Sequence, residues 1–167
     1  MNVLQFGLKS FFRPRMYRID REGAQVGEIE CTRLWEGATI TLGGTRYTAG
    51  REGKMSGVFY LETDGSRLAS ADKPSARKPL FTVRAGGRTF ALKKASMFSR
   101  AYIVTEGAVQ IGSIAPIGWF WGRCKAEFPD DLEPGVQVFL IWLVIVMTRR
   151  AMVQSAAAGG IIAQSQQ

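Results

Sequence analysis

Between Lys73 and Arg100 the chain carries eight basic residues, Lys73, Arg77, Lys78, Arg84, Arg88, Lys93, Lys94 and Arg100, and no acidic one, so this segment alone equals the formal net charge of +8. The chemistry open to such a cluster is recognition of anions. Near an anionic bilayer each basic residue contributes on the order of 1 kcal/mol, in a salt-dependent way. The alternative is a solvated face that only aids solubility. The composition disfavours nucleic acid as a partner, because nucleic-acid-binding modules interleave aromatic platforms with the basic residues. Here Phe81 and Phe90 alternate onto the opposite face, and only Phe98 remains.

Bond-making chemistry finds little to use. The chain has no histidine, which removes the commonest general base, the usual nucleophile triads and every His-containing zinc site. Cys31 and Cys124 lie far apart on strand-like segments and read as small buried residues in a reducing compartment. Glu127, Asp130, Asp131 and Glu133 form the densest acidic cluster, directly before an apolar run, where acidic side chains favour a helix N-terminus. A calcium ion needs six to eight oxygens, more than this segment supplies. No catalytic residue, metal or cofactor is therefore expected, and the chain does not read as an enzyme.

The elements that must carry the basic cluster follow from two patterns. The first is Val136–Met147 (VQVFLIWLVIVM), in which eleven of twelve residues are apolar, with Pro134 and Gly135 before it and Arg149 and Arg150 after it. The spacing predicts a helix over about 134–151 that is apolar all round and must be enclosed by protein or lipid. A membrane span needs about 20 apolar residues, so a run of this length favours a buried core helix over a tail anchor. The second pattern is a repeat. Glu22-Gly23, Gly43-Gly44, Asp64-Gly65, Gly86-Gly87 and Glu106-Gly107 are two-residue turn signals whose glycines are spaced 21, 21, 22 and 20 residues apart.

Folding each hairpin about its turn brings apolar residues to one face: Ile19 opposite Val26, Ile40 opposite Tyr47, Leu61 opposite Leu68 with Glu62 opposite Arg67 outside, Val83 opposite Phe90, Phe81 opposite Leu92, Val104 opposite Val109 and Tyr102 opposite Ile111. Five hairpins make ten strands, and Phe120–Phe128 adds another. A sheet with one apolar face and so many strands closes to remove its edges and leaves an apolar lumen. The expected fold is mainly β, a closed antiparallel barrel of about 10–12 strands around a central hydrophobic C-terminal helix. A β-sandwich with a separate membrane tail is the alternative.

The repeated hairpins followed by one terminal hydrophobic helix resemble the tubby C-terminal-like superfamily, shared by tubby proteins, phospholipid scramblases and the plant LURP-one-related proteins. The resemblance runs from about Met16 to Ala151, and Phe128–Val146 (FPDDLEPGVQVFLIWLVIV) is similar to the entry of the last scramblase helix. It implies a barrel threaded by its last helix and a protein that acts at membranes. Tubby proteins bind phosphoinositide headgroups through basic side chains, and scramblases are associated with lipid transfer. The scramblase calcium segment does not carry over, since Trp119–Lys125 (WFWGRCK) stands where alternating acidic and amide ligands would be needed.

The 167 residues suit one domain: a lead-in over 1–15, a barrel with its helix over 16–152, and an uncharged tail over 153–167. Lys9, Arg13 and Arg15 interrupt any signal-peptide core, so a cytoplasmic protein, peripheral at the inner membrane face, is expected. The functional expectation is a non-catalytic module that binds anionic phospholipid through the eight basic residues. A scramblase-like or tail-anchored membrane protein, and a soluble scaffold or carrier of a small apolar ligand, are the alternatives.

Overall fold

The computed structural model describes residues 1–10, 15–32, 36–53, 56–73, 80–118 and 123–164. Within them lie β1 (Asn2–Ser10), β2 (Arg15–Arg21), β3 (Ala24–Cys31), β4 (Gly37–Leu42), β5 (Thr45–Arg51), β6 (Val58–Thr63), β7 (Ser66–Asp72), β8 (Leu80–Ala85), β9 (Arg88–Lys94), β10 (Tyr102–Glu106), β11 (Val109–Pro116), β12 (Arg123–Phe128) and one helix, α1 (Pro134–Gln164). Each strand pairs antiparallel with the next, and β12 pairs with β1 to close the barrel. Alternation dictates the faces: in β8 Phe81, Val83 and Ala85 are buried while Arg84 is exposed. The stretch read as a lead-in contains β1, whose buried Leu4 and Phe6 obey the same alternation and whose two edges complete the ring.

Connections alternate between the two ends of such a barrel. The five two-residue turns share one end, the turn end. The connections that follow β1, β3, β5, β7, β9 and β11 share the other, the rim end. At Gly43-Gly44 both residues have positive φ, 56° and 85°, as a type I′ turn requires, and the β4–β5 register runs unbroken with Ile40 opposite Tyr47. β8–β9 is equally regular, with Val83 opposite Phe90 and Phe81 opposite Leu92.

The other three hairpins depart from simple folding about the turn. The fifth turn is Gly107-Ala108, not Glu106-Gly107: only Gly107 has positive φ, 58°, which suits a type II′ turn with glycine first, and Glu106 pairs with Val109. In all three an extra residue bulges out of the ladder, Val26, Leu68 or Ile111. Ile19 therefore faces Gly27, Leu61 faces Ala69, Val104 faces Gly112 and Tyr102 faces Ile114, while Glu62 keeps Arg67. The three bulged side chains are partly buried against the core. A Cβ on Gly27 would stand 2.3 Å from the Thr41 carbonyl oxygen, and one on Gly112 would stand 2.7 Å from that of Glu127, so the tightened chain after two of the bulges excludes any side chain. Bulges strengthen local twist, and three of them spaced around the ring help the sheet to close. The repeat is thus a pair of unlike hairpins, one bulged and one regular. Bulged turns recur at Gly23, Gly65 and Gly107, 42 residues apart.

α1 enters at the turn end, where Gly135 packs so closely on Leu68 and Tyr47 that a Cβ would come within 2.7 Å of both side chains. From Val136 to Met147 every residue is buried, Gln137 included, whose side-chain amide donates to the Leu132 carbonyl at 2.6 Å. Trp142 fills the middle of the lumen, stacked on Phe139 at 5.8 Å between centroids and edge-on to Phe59 at 5.9 Å, with Phe59 in turn edge-on to Phe81 at 5.2 Å. By length and composition Pro134–Ala157 could cross a membrane, but 67% of its most apolar stretch lies inside the barrel. The helix does not end near Ala151. It leaves the rim end and continues through Gln164, with Ala151–Ala157 exposed. Arg149 and Arg150 consequently lie within the helix rather than at its C-terminus, and make specific contacts at the rim.

Trp142→Ala should destabilise the fold by about 3–5 kcal/mol, the cost of removing a large aromatic from a core that cannot collapse onto the gap. The check is a lowered urea midpoint at unchanged slope. A loss under about 1 kcal/mol would show that the helix is not packed as described.

Candidate functional site: the basic rim

The barrel divides the eight basic residues. Arg77 and Lys78 lie outside the described residues. Arg84 projects from the wall and pairs with Asp72 of β7. Arg88 sits at the turn end, where its guanidinium donates to both oxygens of Glu106, at 2.9 and 2.8 Å, and to Asp131 at 2.9 Å, above the Phe90 ring. The carboxylates that neutralise these two arginines lie outside the 73–100 run and are brought in by neighbouring strands and by the segment before α1. The six described residues therefore do not form one continuous patch.

The remaining four approach the rim end. Lys93 pairs across to Leu80 and Ile103, and Lys94 to Tyr102, at the last rungs of β9. Neither lysine has an ion pair among the described residues, and Lys93 is exposed. Arg100 belongs to the connection between β9 and β10 and acts on the Cys124 thiol. Lys73 follows β7, and burial together with the nearby charge of Arg150 holds its ammonium below the usual lysine pKa.

Closure and the helix exit add cations that lie far from this group along the chain. Arg15 begins β2 and Arg123 begins β12, both at the rim end. Arg150 donates to Glu36 at 2.5 Å, and Arg51 holds the same carboxylate at 3.0 and 3.1 Å; both guanidinium groups lie over the Phe59 ring. Burial raises the Glu36 carboxyl pKa, but the hydrogen bonds from Arg150 and Arg51 outweigh it and hold the group below its usual range. Arg149 donates to the Tyr17 hydroxyl at 3.2 Å. These contacts lock the helix where it leaves the barrel. The signal in the sequence was the Arg149-Arg150 pair, whose partners only the fold supplies.

The two ends thus differ in charge. Around the turn end lie Asp20, Glu22, Glu62, Asp64, Glu106, Asp130, Asp131 and Glu133, against the N-terminal amine, Arg21, Arg46, Arg67 and Arg88. Around the rim end, Glu30, Glu36, Glu52 and Asp72 face the larger group of cations. The acidic segment before α1 is dispersed: Glu127 pairs with Lys125 at 2.7 Å, Asp130 with the N-terminal amine at 2.6 Å, and Asp131 with Arg88. Among the described residues no group of three or more acidic or cysteine side chains is arranged to hold a metal ion. Both cysteines are free, on β3 and β12; burial pushes the Cys31 thiol up to about 12 and that of Cys124 up to about 11, so each stays protonated and unreactive at neutral pH. No protein-family model, curated protein or solved structure matches the chain.

The Arg88–Glu106 pair makes a pH-dependent contribution of defined sign. The hydrogen bond and charge of Arg88 lower the Glu106 pKa in the folded state, so its stabilisation is present above the ordinary carboxylate range and is lost as pH falls through the lowered value. Glu106→Gln should therefore be less stable than the parent at about pH 6, with the gap closing towards about pH 2. Urea denaturation at both pH values provides the check, and a gap of constant size would remove the pair from the account.

Proposed function

We propose that the chain is a non-catalytic barrel module that docks on anionic phospholipid surfaces, and that the docking face is the rim end rather than one side of the wall. The observation that carries this reading is the coincidence, at one end of the barrel, of excess positive charge with the exit of a helix that bears no charge beyond Arg150. In the sequence, the segments 11–14, 33–35, 54–55, 74–79 and 119–122, which lie outside the described residues, carry Arg13, Arg33, Lys54, Arg77 and Lys78 and no acidic residue. They also hold six aromatics: Phe11, Phe12, Trp35, Trp119, Phe120 and Trp121. Basic residues attract anionic headgroups, and aromatic rings favour the interface between headgroup and hydrocarbon.

The resemblance to tubby-like and scramblase barrels supports the same reading, and membership of that superfamily is part of the proposal. So is a cytoplasmic, peripheral location at the inner membrane face. Among the described residues, the gap beside α1 lined by Phe6, Leu8, Tyr17, Cys124 and Val144 has a volume of about 50 Å³, too small for a carried ligand. Ligand pockets run to about 300 Å³ and more.

Flotation of the detergent-free protein with neutral and anionic liposomes across a salt series tests the proposal. Binding should require anionic lipid and weaken as salt rises. Lys93→Glu with Lys94→Glu should reduce it about tenfold or more, since each basic residue at the surface is worth on the order of 1 kcal/mol. Arg46→Glu, at the turn end, should leave it unchanged. Salt-independent flotation, or equal loss in both variants, would overturn the assignment of the rim.

A further inference from the structure

Away from the lumen and below the rim, β2, β1 and β12 bear a groove of about 260 Å³ on the outer wall. Its origin lies in one row of the sheet. Gly7 of β1 faces Arg18 of β2 on one side and Arg123 of β12 on the other. Leu4 and Phe6 point inward, so the odd-numbered neighbours Gln5, Gly7 and Lys9 point outward. Two long guanidinium side chains therefore stand on either side of a position with no side chain, their Cα atoms about 10 Å apart across two strand spacings. A bulge after Leu8 inserts Lys9, which lines the same groove together with Gln5 and Asp20.

The φ of Gly7 is not in the left-handed region; glycine in a strand interior marks a bulge, a tight bend or a close approach to the backbone, and the bulged residue here is Lys9, two positions further on. Of the three cations around Gly7, Arg18 and Lys9 each have one carboxylate partner and Arg123 has none among the described residues. Arg18 uses its Nε for Asp20 at 2.5 Å, which neutralises the one carboxylate in the groove and leaves both terminal nitrogens of the guanidinium to act as donors. Lys9 forms a solvent-exposed ion pair with Glu28 at 3.7 Å, longer than a hydrogen bond, which a closer oxyanion can displace. Arg123 is exposed and has no ion pair among the described residues.

The geometry points to a binding slot for a phosphate monoester, with Arg18 and Arg123 clamping the tetrahedral oxyanion from opposite sides over Gly7 and Lys9 adding a third positive charge. Planar guanidinium groups match the oxygens of such a dianion bidentately. The Gln5 amide supplies a neutral donor. The phosphate could belong to a lipid headgroup or to a soluble metabolite, since the slot reads the shared group. This assignment does not rest on the docking role of the rim, whose lysines Lys93 and Lys94 are on β9, four strands around the ring from β1.

The experiment is a titration of the isotopically labelled full chain with glycerol 3-phosphate, followed by the amide shift of Gly7 and the side-chain Nε–H of Arg123. Parallel flotation uses phosphatidate or phosphatidylserine vesicles of equal charge. Saturable shifts are expected that equal ionic strength from chloride does not reproduce. Arg123→Gln should weaken binding about tenfold or more, as loss of charge-assisted hydrogen bonds does. Gly7→Val, an outward residue well suited to a strand, should abolish it, while Lys93→Glu with Lys94→Glu should not affect it. If Gly7→Val weakens phosphatidate but not phosphatidylserine flotation, the source is a lipid headgroup; if it removes only glycerol 3-phosphate binding, the source is soluble. Either result supports the slot. Non-saturating shifts, or equal phosphate binding by folded Gly7→Val and Arg123→Gln, would overturn it.

Discussion

A barrel of twelve strands is wider than its own inward side chains can fill, because about eight strands already give an interior just wide enough for them. The extra width is occupied by α1, whose backbone and side chains together need about 10–12 Å. Each part thereby solves the other's problem. The strands offer one continuous apolar face that would otherwise meet water, and Val136–Met147 is apolar on every side and would otherwise have no environment except lipid. Trp142, against Phe59 and Phe139, is the largest fully buried side chain at this joint. Small inward residues such as Ala49, Ala69, Ala71 and Ala126 leave room on the wall for the helix side chains.

The direction of that helix then sets the polarity of the molecule. Because β12 ends at the turn end, α1 has to enter there and emerge among the longer connections. Acidic residues before the helix are drawn to partners around its entry, Asp130 to the N-terminal amine and Asp131 to Arg88. At the exit the helix carries Arg149 and Arg150, held by Tyr17 and Glu36. One threading direction therefore accounts for where the helix is locked and for where the excess positive charge collects.

The barrel, its antiparallel hairpins and the enclosed helix were legible in the sequence because they rest on period-two alternation and on turn chemistry, both local. Ile40 opposite Tyr47 and Val83 opposite Phe90 follow from glycine-pair turns alone. The bulges at Val26, Leu68 and Ile111 were not legible, because an inserted residue that stays partly buried leaves the apolar pattern almost unchanged. The site was read less well than the fold. Clustering along the chain is not clustering in space: in an antiparallel sheet the nearest neighbours of Arg84 and Arg88 belong to other strands, and Asp72 and Glu106 are among them. Arg15, Arg123 and Gly7 were missed for the matching reason: only closure between β1, β2 and β12 brings the ends of the chain together.

The stretch of α1 beyond the rim has a simple physical origin. An isolated segment of about 14 residues would be a marginal helix in water, because forming the first turn is unfavourable. Here the nucleus already exists, folded inside the barrel, and each further residue needs only to propagate it. Ala151 and Ala156–Ala158 suit propagation, whereas Gly159 and Gly160 each weaken it by about 1 kcal/mol relative to alanine. Met152 and Val153 stand exposed on this extension, which carries no charge to hold it away from an apolar phase. A surface approaching the rim would thus meet an uncharged helix surrounded by cations, so electrostatic attraction and apolar contact would act along the same axis.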